Sequence, residues 1–103
     1  MDIMKSLARE ELENSIRIRD DYKKALSKLP KGSLSRKKIK GNEYYYLSYR
    51  DKSGRVQSRY LGKLSDAQLK RYREKIRRRR EYSKLIKKSE KQITFFQKVL
   101  NYG

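Results

Sequence analysis

The sequence contains no cysteine and no histidine. Disulfide bridges, zinc sites built from Cys and His, cysteine nucleophiles and histidine-dependent triads are therefore excluded. No apolar run approaches the roughly 18 residues of a membrane helix, and no signal-peptide core is present. We expect a soluble intracellular protein with no metal, no other cofactor and no membrane partner.

Acidic residues are also scarce. The 103 residues include 12 Asp and Glu against 30 Lys and Arg, a formal net charge of +18. Such charge strains a compact monomer by self-repulsion, and a polyanionic partner relieves that strain. Glu43 and Asp51 are the only acids between residues 31 and 64, whereas a two-metal nuclease site needs several converging carboxylates. We expect no enzymatic activity, and a nucleic acid rather than an acidic protein or an anionic membrane as partner.

The pattern of helix formers and turn residues predicts one small α+β domain over residues 1–103. An amino-terminal helix is expected over residues 1–29, because Pro30, the only proline, stops it. Ser65 and Asp66 form an N-cap signal for a long helix over residues 65–101.

Between the helices, residues 31–64 contain glycines that separate short runs rich in tyrosine. This pattern predicts strands at about 33–39, 43–50 and 55–61, arranged as a β-hairpin or a three-stranded antiparallel sheet. The first of these is weakly patterned and fits an edge strand.

The alternation of side chains along a strand separates two faces of the hairpin. Pairing Arg50 with Arg55 gives one nearly apolar face, which we expect in the core: Tyr45, Leu47, Tyr49, Val56, Ser58 and Tyr60. The opposite face is aromatic and basic: Tyr44, Tyr46, Ser48, Arg50, Gln57, Arg59 and Leu61. A register shifted by one residue would place Gln57 and Arg59 beside Leu47. Because burying an unpaired guanidinium is costly, we favour the first register.

The exposed face supplies the candidate nucleic-acid contacts of the hairpin, which are Tyr44, Tyr46, Arg50, Arg55 and Arg59. Cations bind phosphate, and aromatic rings stack on exposed bases. Lys37 and Lys38 of the first strand either contact phosphate as well or protect the sheet edge from aggregation. The hairpin could lie in a DNA major groove or act as a stacking platform for single strands.

The long helix contains a second basic cluster. Its candidate contacts are Arg73, Arg77, Arg78, Arg79, Arg80 and Lys84. Since successive helical residues are about 100° apart, four consecutive arginines cannot all face one groove. Some are expected to contact phosphate, and others to pair with acids or simply face solvent.

The end of the long helix is its most apolar part, with Ile93, Phe95, Phe96, Val99, Leu100 and Tyr102. Such a surface must be covered. We favour antiparallel packing of the two helices, with a homodimer through the carboxy-terminal helix as the alternative.

The stretch from Gly41 to Arg50 (GNEYYYLSYR), followed by Gly54 to Gly62 (GRVQSRYLG), resembles a small uncharacterised domain family of prophages, plasmids and transposon neighbourhoods. The resemblance covers about residues 31–90. Some members carry a Cys-rich segment where this chain has residues 33–40, so a metal role is not carried over. The resemblance brings no catalytic residues. It implies a mobile-element origin, a role that involves nucleic acid, and a location in the cytoplasm or nucleoid of a bacterial host cell.

Taken together, these features predict a non-catalytic protein that binds DNA or RNA, free or within a ribonucleoprotein, through one continuous basic surface. The alternative is a phage-encoded inhibitor of a host defence ribonucleoprotein, of the anti-CRISPR type, which would hold guide RNA, target DNA or an effector surface. A ribosome-associated protein also fits the charge. The sequence leaves open DNA or RNA, and duplex or single strand.

Overall fold

A computed structural model of the chain, described over residues 2–101, contains two helices and three strands. They follow in the order α1 (Ile3–Ser27), β1 (Ser33–Ile39), β2 (Asn42–Arg50), β3 (Val56–Gly62) and α2 (Asp66–Asn101). The predicted α+β fold with an amino-terminal helix, a three-stranded antiparallel sheet and a long second helix is confirmed.

The chain forms two compact units. The helical unit comprises residues 2–28 and 80–101, and the sheet unit comprises residues 29–79. Helix α2 contributes its first turns to the sheet unit and its remainder to the helical unit.

Helix α1 begins at an aspartate cap and ends near the proline. The Asp2 carboxylate accepts a hydrogen bond from the Met4 backbone nitrogen at 3.0 Å, which satisfies one of the free donors of the first turn. The helix ends at Ser27, two residues earlier than predicted, with Lys28 as its C-cap. Pro30 disfavours a helical conformation at the preceding residue, so the chain leaves the helix before Leu29.

Helix α2 begins at a reciprocal cap. The Ser65 hydroxyl accepts from the Gln68 backbone nitrogen at 3.2 Å, and the Ser65 backbone nitrogen donates to the Gln68 side chain at 2.9 Å. This is a capping box, and Asp66 lies in the first turn, where an acid is favoured by the helix dipole. The predicted start of this helix is confirmed.

In the helical unit the two helices lie antiparallel. Tyr22 and Tyr82 meet with ring centroids 5.4 Å apart, while Met4 and Leu7 line a groove with Phe96 and residues near it. The beginning of α1 therefore lies beside the end of α2, which confirms the favoured packing.

Several of the buried residues of these two helices have small side chains. Ala8, Ser15 and Ser89 are buried together with Ile86 and Ile93. The Ser89 hydroxyl donates to the Leu85 carbonyl at 2.9 Å, so it is satisfied within its own helix. Of the apolar tail named from the sequence, Tyr102 lies outside the described residues.

The sheet has the order β1-β2-β3, so β1 is an edge strand as predicted, and β3 forms the other edge. Lys40 and Gly41 connect β1 to β2, both with positive φ of 49° and 81°. A two-residue turn with positive φ at both positions matches the twist of a hairpin. Ile39 and Asn42 are the paired residues on either side of this turn.

Gly32 positions the start of β1. Its φ is +108°, and a Cβ atom there would collide with the backbone carbonyl of Ser48. Only glycine permits this backbone conformation together with so close an approach to β2.

The pairing of β2 with β3 differs from the prediction by one residue. Arg50 pairs with Val56, and Leu47 pairs with Arg59, so the predicted pairing of Arg50 with Arg55 is wrong. The cost of burying a guanidinium does not arise, because Arg59 is exposed on an edge strand. A bulge follows, in which Leu61 is an extra residue opposite the step from Tyr45 to Tyr46.

We call the side of the sheet that carries Tyr45 and Leu47 the inner face. These two residues are only 6% and 4% exposed, whereas Tyr49, also predicted in the core, is half-buried. Leu69 and Ile76 of α2 are buried in the same unit and lie seven residues apart, on one side of the helix. Their burial places this side of the first turns of α2 in the core of the sheet unit.

Candidate nucleic-acid interface

Three tyrosines cluster on the face of the sheet opposite the inner face. Tyr46 pairs with Tyr60 across β2 and β3, and their ring centroids are 5.2 Å apart. The ring of Tyr44 lies 6.4 Å from that of Tyr60. Tyr44 and Tyr46 are half-buried, and Tyr60 is 57% exposed. The rings thus form an aromatic surface that water reaches.

Two lysines flank these rings. The Lys37 ammonium lies 5.1 Å from the ring centroid of Tyr46, and the Lys63 ammonium lies 5.9 Å from that of Tyr44. Both distances are within the range of a cation–π contact. We name the set of Lys37, Tyr44, Tyr46, Tyr60 and Lys63 the aromatic face.

An open groove of about 490 Å³ runs between the three tyrosines and Ile39. Ile39 is 50% exposed, so an apolar side chain completes the groove at the end of β1. Exposed apolar and aromatic surface of this kind is typical of a binding site.

The position of Tyr60 corrects a prediction. The sequence placed Tyr60 in the core with Tyr45 and Leu47, but the observed register turns it to the opposite face beside Tyr46. Because a strand alternates its side chains, a shift of one residue reverses the face of each residue of β3 from Val56 to Tyr60.

The same shift divides the three arginines that the sequence placed together. Arg59 lies opposite Leu47 and therefore on the inner face, away from Tyr44 and Tyr46. Arg50 lies on the side of the aromatic face and donates to the Gly54 carbonyl at 3.0 Å. Arg55 belongs to the turn rather than to β3. The predicted grouping of Arg50, Arg55 and Arg59 on one strand face is wrong.

Lys37 and Lys38 also separate. Lys37 pairs with Tyr44, whereas Lys38 pairs with Glu43 and lies on the inner face. Glu43 is occupied there, since it accepts from Arg36 and from the Tyr45 hydroxyl, each at 3.3 Å. Of the two neighbouring lysines, only Lys37 belongs to the aromatic face.

The turn from β2 to β3 is organised by Asp51. One carboxylate oxygen accepts from the Ser53 hydroxyl at 2.7 Å, the Ser53 backbone nitrogen at 2.9 Å and the Arg55 backbone nitrogen at 3.0 Å. The other accepts from the Gln57 side chain at 2.9 Å. Hydrogen bonds from Ser53, then Gln57 and the backbone, lower the pKa of Asp51 to about 2.

This geometry gives Asp51 a structural role in the turn. Within residues 2–101, the acids and other ligand types do not form a group of three that could hold a metal ion.

The arginines of α2 take different positions. The predicted contacts Arg73, Arg77, Arg78, Arg80 and Lys84 are exposed, whereas Arg79 is half-buried. The Arg79 guanidinium donates to the Leu29 carbonyl at 3.0 Å. This hydrogen bond links α2 to the first residue of the sheet unit. Arg80 and Lys84 belong to the helical unit. The ring and ammonium contacts of the aromatic face are made by strand residues and Lys63.

Sequence reasoning missed Tyr60, Lys63 and Ile39 as parts of this surface. The signal that could have placed Tyr60 is Gly54, because a turn followed by a glycine with positive φ is a common hairpin connection. Gly54 has a φ of 84°, and the Asp51 backbone nitrogen donates to the Arg55 carbonyl at 2.9 Å, so Arg55 belongs to the loop and Arg50 pairs with Val56.

Residues 9–71 match the family described as Domain of unknown function (DUF6788). The match covers more than half of the chain, so the chain belongs to this family. It includes the whole sheet and ends before Arg77 to Arg80. No curated protein and no solved structure matches the chain. In the described part of the chain, neither helix combines the length and apolar character needed to cross a membrane.

Proposed function

We propose that the chain binds nucleic acid, without catalysing a reaction, through the aromatic face of its sheet. The observation that carries this proposal is the cluster of Tyr44, Tyr46 and Tyr60 on an open groove with an ammonium group on each side. Rings offer contact area to bases or sugars, and ammonium groups offer contacts to phosphates.

The distribution of charge supports the same proposal. The sheet unit, residues 29–79, has 17 basic and 4 acidic residues, and so holds +13 of the total charge of +18. Its positive potential attracts a polyanion and raises the rate of encounter. The exposed Arg73, Arg77 and Arg78 belong to this unit and extend its phosphate-binding capacity.

A titration with labelled DNA and RNA at several salt concentrations tests the proposal. For about three to five phosphate contacts, affinity is expected to fall roughly 20- to 500-fold between 50 and 200 mM salt, with the smaller losses for single strands and the larger for duplex DNA. Absence of binding to every nucleic acid, or affinity that does not change with salt, would contradict it.

Affinity that does not change with salt would favour the alternative, an inhibitor that binds a ribonucleoprotein of host defence. The proposal includes an origin in a phage or another mobile element, supported by the resemblance of the tyrosine-rich hairpin to one small domain family of prophages, plasmids and transposon neighbourhoods. If the chain is isolated in a stoichiometric complex with a protein, and this complex survives high salt, the target is a protein and not a nucleic acid.

A further inference from the structure

We propose that the aromatic face selects unpaired nucleic acid, with bases stacked on the rings of Tyr46 and Tyr60 and phosphates beside Lys37 and Lys63. This inference rests on the proposed function and adds the form of the nucleic acid. The shared chemistry is that of single-stranded DNA and RNA, which both present free base faces along a phosphodiester backbone.

The three tyrosine rings meet at inclined angles, and the Lys37 and Lys63 ammonium groups lie over the rings of Tyr46 and Tyr44. The planes of Tyr46 and Tyr60 are inclined by 54°, and those of Tyr44 and Tyr60 by 36°. Neither pair is stacked in parallel, and Tyr60 is 57% exposed. Ring surface therefore remains for a partner that is itself flat and aromatic, such as a nucleobase.

The arginine and amide side chains of β2 and β3, which could read base edges in a duplex, either lie on the inner face or are hydrogen-bonded within the chain. Arginine and amide side chains make the specific contacts in the major groove, but Gln57 and Arg59 lie on the inner face. Arg50 is hydrogen-bonded to the Gly54 carbonyl. In a duplex the base faces are covered by stacking, so three clustered rings would have little to bind. The groups present therefore favour exposed bases.

The lysines mark the path of the strand. Lys37 lies on edge strand β1, and Lys63 follows β3 at the other edge. Neighbouring strands are about 4.8 Å apart, so the sheet is roughly 10 Å across between its outer strands. A nucleic acid strand crossing the sheet would pass both ammonium groups while placing two or three bases over the rings, as sheets that bind single-stranded RNA do.

The experiment uses the full chain and fluorescence anisotropy at one fixed salt concentration. The probes are oligonucleotides of about 12 nucleotides: single-stranded DNA, single-stranded RNA of the same sequence, and the duplex form of each. We expect both single strands, or one of them, to bind at least about tenfold more tightly than the matched duplex. The DNA and RNA arms show which backbone is preferred.

Two pairs of variants test the contacts. Tyr60→Ile keeps a strand-favouring side chain but removes the ring, and is expected to weaken single-strand binding roughly 5- to 150-fold, since stacking contributes about 1–3 kcal/mol per base. Tyr60→Phe keeps the ring and should restore most of that affinity. Lys37→Gln should weaken binding more than Lys38→Gln, because these adjacent lysines lie on opposite faces of β1. Far-ultraviolet circular dichroism checks that each variant is folded.

The outcomes separate the two proposals. Equal or tighter binding of the duplex, together with unchanged affinity in Tyr60→Ile, would overturn the single-strand inference and leave the nucleic-acid function standing. Equal losses for Lys37→Gln and Lys38→Gln would also contradict the assigned face. If no probe binds, the proposed function itself fails.

Discussion

Tyrosines meet one another in both units of the chain, but in different settings. In the helical unit, Tyr22 and Tyr82 meet between two antiparallel helices. In the sheet unit, Tyr46 and Tyr60 meet on an open face that carries exposed Ile39. The Tyr22–Tyr82 pair serves the packing of the two helices, whereas the tyrosine cluster of the sheet unit leaves ring surface available to a partner.

Charge follows the same division. Residues 2–28 and 80–101 have 13 basic and 8 acidic residues, a net charge of +5, against +13 for the sheet unit. The unit with the open tyrosine cluster is therefore also the unit with the larger excess of cations. This coincidence, rather than the total charge, is what directs the proposed function to the sheet.

The largest expected effect concerns the inner face of the sheet. Leu47→Ala should lower the free energy of unfolding by roughly 2–5 kcal/mol, because the residue is buried at 4% exposure and its removal leaves a cavity. Val56→Ala is the matched control, since Val56 is 64% exposed, and should change stability by about 0.5 kcal/mol or less. Urea denaturation of both variants measures the difference; similar losses would mean that the two faces are wrongly assigned.

A second comparison exchanges the roles of two tyrosines. Tyr82→Ala should destabilise the protein by roughly 1–3 kcal/mol, because it removes packing against Tyr22, and should leave oligonucleotide affinity nearly unchanged. Tyr60→Ala should weaken oligonucleotide affinity and leave the stability of the protein nearly unchanged. Thermal unfolding and anisotropy on the same samples give both readings. A loss of affinity in Tyr82→Ala as large as in Tyr60→Ala would remove the distinction between the units.

A third prediction concerns charge alone. Replacing Lys37 and Lys63 by glutamine should make the salt dependence less steep. The magnitude of the negative slope of log affinity against log salt should fall by about 1.4, the value for two phosphate contacts with a single strand. Replacing the exposed Lys87 and Lys88 of the helical unit removes the same charge and should change the slope less. Equal changes would indicate that total charge, not the aromatic face, determines binding.

The smallest effect is a pH dependence of the turn between β2 and β3. The pKa of Asp51 is lowered from 3.8 to about 2, first by the hydrogen bond from Ser53. A lowered pKa stabilises the folded state above pH 4, and this contribution is lost as the pH falls towards 2. Wild type should therefore be more stable than Asp51→Asn at neutral pH, and the gap should close near pH 2. A gap that is constant with pH would contradict the role given to this carboxylate.

The elements of this fold were predictable from the sequence because their signals are local. The capping box at Ser65, the stop before Pro30 and the turn at Lys40-Gly41 each depend on residues within a few positions. The antiparallel packing of the helices followed from the apolar pattern around Phe96.

The register of β3 was not predictable in the same way. It depends on the turn that Asp51 organises with Ser53 and Arg55 and on the bulge at Leu61. The observed register buries no guanidinium at Arg59, because β3 is an edge strand and Arg59 stays in water. The candidate site changed with the register: it lost Arg59 and gained Tyr60 and Lys63.

The most direct test of the central claim is a nuclear magnetic resonance titration of the ¹⁵N-labelled chain with a short single-stranded oligonucleotide. We expect the amide shifts to change most around Lys37, Tyr44, Tyr46, Tyr60 and Lys63, and least in residues 3–27 of α1. Changes concentrated in the helical unit, with the sheet unaffected, would contradict the assignment of nucleic-acid binding to the aromatic face.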